Sequence, residues 1–163
     1  MTNNKKTAIY AGSFDPITLG HLDVLKDGAQ MFDKVVIVVA DNPDKKCMFT
    51  VEERKEFIKK CTANIPNIEI DSFGGLTVEY AKIKGADILL RGLRSVSDFE
   101  YERELAQINE KLAPNIKTVF IITKPEHSFV SSSAVREVIS YGGDVSKFVS
   151  KEIIDDLRKK SQW

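Results

Sequence analysis

No apolar run in this sequence approaches the roughly 20 residues that a bilayer span requires. The polar residues 1–6 precede an apolar run too short for a secretory signal. A soluble, cytoplasmic protein with no membrane partner is therefore expected. Cysteine is scarce: Cys47 and Cys61 lack CxxC spacing and have no histidine nearby, as suits incidental thiols in a reducing compartment. Excess charge is also missing. Lysine plus arginine number 24, aspartate plus glutamate 24, and the formal net charge is zero. A general nucleic-acid binder needs surplus cations to displace counterions, so none is expected here and any cationic site must be local. There is no GxxxxGK[ST] and no GxGxxG, which disfavours a P-loop ATPase and a dinucleotide oxidoreductase, and no GxSxG elbow. No carboxylate cluster marks a protein-held metal pair. An attacking group that is already anionic needs no general base, and catalysis then reduces to positioning and charge stabilisation.

What is present is an alternation of strand-like and helix-like segments over 163 residues, the size of one domain spanning residues 1–163. Val35-Val36-Ile37-Val38-Val39-Ala40 is an unbroken run suited to a strand covered on both faces. Residues 8–11, Ile68-Glu69-Ile70, Ile88-Leu89-Leu90 and Val119-Phe120-Ile121-Ile122 follow the same logic. Thr50 with Glu53, and Ser97 with Glu100, match the capping box at helix starts. Leu22, Leu25, Ala29 and Phe32 share one helical face, as do Tyr101, Leu105, Ile108 and Leu112. Gly142-Gly143 should stop the helix that begins near Ser131. The basic end around Arg158-Lys159-Lys160 reads as frayed. The alternation predicts an α/β fold, a doubly wound parallel five-stranded sheet with its ligand site at the strands' carboxyl ends.

The unusual residues fall after those strands. Gly12-Ser13-Phe14-Asp15-Pro16 leads into Thr18-Leu19-Gly20-His21, a tight turn into a helix start, where unpaired N–H groups and a partial positive charge collect anions. An imidazole there can donate to a phosphate, and Gly20 lets the backbone come close. Arg91 and Arg94 flank Gly92-Leu93, and two guanidinium forks suit a polyphosphate. One lysine of Lys45-Lys46 can reach over the sheet edge. Ser131-Ser132-Ser133 offers more hydroxyls than one helix cap needs.

Four segments together, GSFDPITLGH, the lysine loop ending Lys45-Lys46-Cys47-Met48-Phe49, RGLRSVSDFEYE and SFVSSS, resemble the bacterial phosphopantetheine adenylyltransferases, within the nucleotidylyltransferases marked by [HT]xGH. The resemblance runs from about Ala8 to the helix after Ser133. It implies a Rossmann-like nucleotidylyltransferase fold and transfer of AMP from ATP to 4′-phosphopantetheine, giving dephospho-coenzyme A and pyrophosphate. On this sequence it implies three catalytic residues, His21, Lys45 and Arg94. His21 would bond the α- and β-phosphate region, Lys45 would bridge the incoming phosphate to the α-phosphate, and Arg94 would hold the ATP polyphosphate. Ser13 would contact both substrates, with Phe14 beside it supplying backbone. Arg91 would clamp the acceptor phosphate and Thr77 would border the pantetheine arm. Gly92, Leu93 and Glu102 would meet the nucleotide, and His127, Ser128, Phe129, Val130, Ser131, Ser132 and Ser133 would close around adenine and triphosphate. Magnesium would arrive with ATP, coenzyme A would act as a feedback inhibitor, and the assembly would be a homohexamer.

Three positions depart from the wider pattern. Thr18 stands where many superfamily members carry a first histidine, so double-histidine catalysis does not transfer. His127 stands where an indole is common, and Ser13 replaces a commoner threonine but keeps the hydroxyl. Two other readings remain: a nucleotidylyltransferase for a different phosphate acceptor, and a non-catalytic nucleotide sensor. The full RGLRSVSDFEYE run weighs against the first, and intact His21, Lys45, Arg91 and Arg94 weigh against the second.

Overall fold

The structure, a computed structural model, describes residues 5–160; most of the polar N-terminal segment lies outside the described residues. Strands β1 (Thr7–Gly12), β2 (Lys34–Ala40), β3 (Ile68–Phe73), β4 (Ile88–Leu93) and β5 (Lys117–Ile122) form one parallel sheet in the order β3-β2-β1-β4-β5. Helices α1 (Leu19–Met31), α2 (Val51–Cys61), α3 (Thr77–Lys84), α4 (Val96–Leu112), α5 (Ser132–Ser140) and α6 (Ile154–Arg158) complete the chain. This is the doubly wound α/β sheet that the alternation predicts. Along β2, Val35, Ile37 and Val39 enter a core with Tyr10, Leu25 and Phe57. Val36 and Val38 enter the opposite core with Ile9, Val78 and Leu89. Both faces are covered, so the run is continuous instead of alternating. No helix among the described residues is long and apolar enough to cross a membrane.

The pairing at the sheet's centre positions the site. β1 is in register with β2 along its whole length, from Thr7↔Lys34 to Gly12↔Val39. Its register with β4 covers only Ala8↔Ile88 and Ile9↔Leu89. Strand order also reverses here, running outward through β2 and β3 before crossing to β4 and β5. Past Ile9 and Leu89 the two central strands part, opening a crevice at the switch point. Helix α1 is pressed close beneath it: a Cβ added to Gly28 would lie 2.6 Å from Leu90 Cδ2.

Thr50 and Glu53 form the expected capping box of α2, and Gly142, at φ 70°, follows α5 as expected. Three local expectations change. The cap of α4 is Ser95, whose hydroxyl accepts from Asp98 N–H at 3.2 Å. Because β4 runs on to Leu93, the helix starts sooner, and Ser97 and Glu100 lie within its first turns. The face carrying Tyr101, Ile108 and Leu112 is 62%, 55% and 49% exposed, because α4 turns Glu102 inward to an arginine partner instead. The C-terminal turn is anchored, not frayed: Leu157 is fully buried, Lys60 pairs with Asp156 at 2.7 Å, and Lys160 reaches Glu53 at 3.3 Å.

Candidate active site

A cavity of about 370 Å³ opens where β1 and β4 part, and the loops after four strands contribute to its wall. Ser13, Phe14, His21, Lys45, Arg91, Gly92, Arg94 and Glu102 line it together with Val130, Ser131, Ser132 and Ser133. Segments distant in sequence thus meet at one sheet edge. Gly92 is required there, since a Cβ would lie 2.8 Å from Val24 Cγ2.

His21 is the third residue of α1, where a capping box would place glutamate or glutamine. Its ring takes that part. The Thr18 N–H donates to His21 Nδ1 at 3.1 Å, and His21 N–H donates back to Thr18 Oγ1 at 3.4 Å. A ring nitrogen that accepts carries no proton, so the neutral imidazole holds its hydrogen on Nε2. Burial, helped by Arg94 and then Arg91, pushes the His21 pKa down to about 4. Phe14 stands edge-on to the ring at 5.0 Å. Helix capping, tautomer and charge state therefore agree. His21 is a fixed neutral donor, free of the positive charge that the two flanking arginines oppose.

Ser13 and Lys45 meet directly, with Lys45 Nζ donating to Ser13 Oγ at 2.7 Å. Two buried residues bring their loops together. Asp15 accepts from the backbone N–H groups of Met48 and Phe49, both at 2.9 Å. Arg54 Nη1 donates to the carbonyls of Ser13 at 2.8 Å and Ala40 at 3.1 Å, joining the ends of β1 and β2. The turn from β1 into α1 holds Phe14 at φ 46°, a left-handed conformation that a bulky residue adopts only under surrounding constraint.

Arg91 spans the gap between the central strands, its Nη1 donating to the Ala11 carbonyl at 2.8 Å. Its other edge grips Glu102 in bidentate fashion, at 2.7 Å from Nε and 2.6 Å from Nη2. Glu102 therefore has both oxygens committed to Arg91 and acts on the cavity through it. Arg94 donates to Asp98 at 3.0 Å and to the Val130 carbonyl at 3.3 Å. Ser131 caps α5, Ser132 donates to the Pro16 carbonyl at 2.8 Å, and Ser133 accepts from Arg136 at 3.1 Å.

The chain matches the family model described as cytidylyltransferase-like over residues 9–138. It is 51% identical over 152 residues to a phosphopantetheine adenylyltransferase of Crocosphaera subtropica, covering 93% of this chain and 97% of that one. It is 46% identical over 155 residues to a phosphopantetheine adenylyltransferase of Clostridium perfringens, covering 95% and 94%. The chain belongs to the phosphopantetheine adenylyltransferase family. Its backbone also superposes on a Vibrio parahaemolyticus protein assigned provisionally as a nicotinate-nucleotide adenylyltransferase, with a TM-score of 0.67. The two share 19% identity over 94% of this chain and 99% of that one, so this likeness concerns the fold.

Not every expected residue lines the cavity of this adenylyltransferase-family chain. Leu93, Thr77, His127, Ser128 and Phe129 do not. Leu93 ends β4 beside the glycine that does. Thr77 opens α3, which follows the edge strand β3. His127 turns to buried Asp23, donating from Nδ1 at 2.7 Å, and so ties the turn at residues 125–127 to α1. Ser128 donates to the Pro125 carbonyl, and exposed Phe129 stands edge-on to Phe148. Other residues line the cavity without having been expected: Tyr10, Thr18, Thr123, Asp98, Tyr101 and Arg136. Arg54 was also missed, although the sequence carries a signal for it. It shares a helical face with Phe57, Ile58 and Cys61, and a charged residue on an apolar face marks a buried role.

Proposed function

We propose that this protein transfers the adenylyl group of ATP to 4′-phosphopantetheine in coenzyme A biosynthesis. An oxygen of the acceptor phosphate attacks the α-phosphorus in line and the bond to the β-phosphate oxygen breaks. Dephospho-coenzyme A and pyrophosphate result. The supporting observation is that His21, fixed as an Nε2–H donor, shares one cavity with the Ser13–Lys45 contact and Arg94. The attacking phosphate is already anionic, so what the reaction requires is orientation and donors for the charge that builds at the α-phosphate. His21 donates to that phosphate, Lys45 bridges it to the acceptor with Ser13, and Arg94 holds the polyphosphate. Arg91, steadied by Glu102, receives the acceptor's phosphate.

In this reading Gly92, Phe14 and residues 130–133 bound the nucleotide, and Thr77 borders the path of the pantetheine arm. Magnesium enters with ATP, held by phosphate oxygens and water, and the cavity's cations and hydroxyls suit those phosphates. Among the described residues no group of three or more histidines, cysteines or carboxylates is placed to hold an ion. The exposed stripe of Tyr101, Ile108 and Leu112 on α4 is assigned to self-association as a homohexamer. Coenzyme A competes at the acceptor side, and the protein works in the cytoplasm. The test is product analysis by mass spectrometry with magnesium, ATP and either 4′-phosphopantetheine or nicotinamide mononucleotide. Dephospho-coenzyme A should form with the first and no adduct with the second. An adduct with nicotinamide mononucleotide alone would reassign the acceptor.

A further inference from the structure

Tyr10 lies in β1, the most central strand, with 5% of its surface exposed. Its ring packs edge-on against Phe14 at 5.2 Å, a task phenylalanine would fill equally well. The hydroxyl is the part that packing leaves unexplained. It has no hydrogen-bond partner among the described residues, although no fully enclosed side-chain oxygen or nitrogen there lacks one. The hydroxyl must therefore keep contact with the cavity that Tyr10 lines. An unpartnered hydroxyl at such depth costs stability unless something polar reaches it. Burial raises its pKa, so the group stays a protonated donor at any working pH, and among the charged groups acting on it Arg91 has the largest effect. Arg91 spends three of its five N–H donors on Glu102 and Ala11, leaving one free on each terminal nitrogen. Gly92 keeps the approach open, since a Cβ there would sit 3.7 Å from the hydroxyl.

We infer that the Tyr10 hydroxyl is a further binding group, donating to the same phosphate oxygens of the acceptor that Arg91 receives. This rests on the proposed function for the acceptor's identity, but not for the presence of an anion at this spot. Calorimetric titration of wild type and Tyr10→Phe with 4′-phosphopantetheine, ATP and inorganic pyrophosphate separates the two. Loss of one hydrogen bond to a charged group should weaken phosphopantetheine binding by about tenfold or more, with ATP affinity within about twofold of wild type. The melting temperature of the ligand-free variant should be unchanged or raised, because no protein hydrogen bond is lost. A lower melting temperature with unaltered affinities would make the hydroxyl structural and overturn the inference. Weakening of ATP alone would overturn the assignment to the acceptor. If wild type binds pyrophosphate but not phosphopantetheine, the proposed acceptor fails. A drop in pyrophosphate affinity in Tyr10→Phe would then still support the anion contact.

Discussion

Acidification from pH 7 to pH 5 should cost this protein about 2 kcal/mol of stability through His21 alone. In the folded chain burial, then Arg94 and Arg91, hold the imidazole pKa near about 4 against an ordinary 6.5. Between those two values the unfolded chain binds a proton at this residue and the folded chain does not. Stability is therefore complete above the higher value and falls as the pH drops toward the lower one. At about 1.36 kcal/mol per unit, the roughly 1.5 units between the ordinary value and pH 5 give about 2 kcal/mol. The contact responsible is visible: a protonated ring could not accept from Thr18 N–H at Nδ1. Urea unfolding at both pH values, for wild type and His21→Gln, isolates the contribution. Glutamine at this position keeps a capping-box side chain but does not titrate. Wild type should lose about 2 kcal/mol more than the variant on acidification. Equal losses would refute the reasoning, since every other titrating group is common to both proteins.

Other substitutions probe the remaining contacts. Lys45→Ala should lower kcat by about 100- to 1,000-fold with little change in melting temperature, since among the described residues the exposed lysine side chain bonds to Ser13 alone; a fall of only a few-fold would remove it from the reaction. Glu102→Ala strips Arg91 of its bidentate partner in a half-buried setting. It should cost about 2 kcal/mol in denaturant unfolding and raise KM for the acceptor more than for ATP. Unchanged stability would show that the pair contributes nothing. Gly28→Ala should lose about 1–3 kcal/mol, because the new methyl meets Leu90 within 2.6 Å; a neutral result would mean that α1 can shift without loss.

The sheet was legible in the sequence because β2 is a continuous apolar run, β1, β4 and β5 carry shorter ones, and helices α1, α2, α4 and α5 each start at a serine or threonine cap. The site was legible where chemistry and position coincide. His21 sits at a helix start, Ser13 in a turn after β1, and Arg91 and Arg94 beside a glycine at the end of β4. What escaped depends on contacts between distant segments. Nothing local distinguishes Asp15 as the residue that fastens the loop bearing Lys45. Nor does Glu102 announce that both its oxygens belong to Arg91. The family resemblance implied a nucleotide contact for His127, yet its partner Asp23 lies on α1, 104 positions away. The apolar stripe on α4 has helical periodicity either way, and periodicity alone does not tell a face buried within one chain from a face left outside it. Ser95 took the cap from Ser97 because β4 runs three residues beyond its apolar Ile88-Leu89-Leu90 core.

The most direct test of His21 as the donor at the reacting phosphate is turnover in His21→Ala, measured as pyrophosphate release with magnesium, ATP and 4′-phosphopantetheine, alongside ATP affinity. A group that acts in the transition state should leave ATP binding near the wild-type value while turnover falls by about 1,000-fold. Near-normal turnover with intact ATP binding would contradict that role and move the chemistry to another part of the cavity.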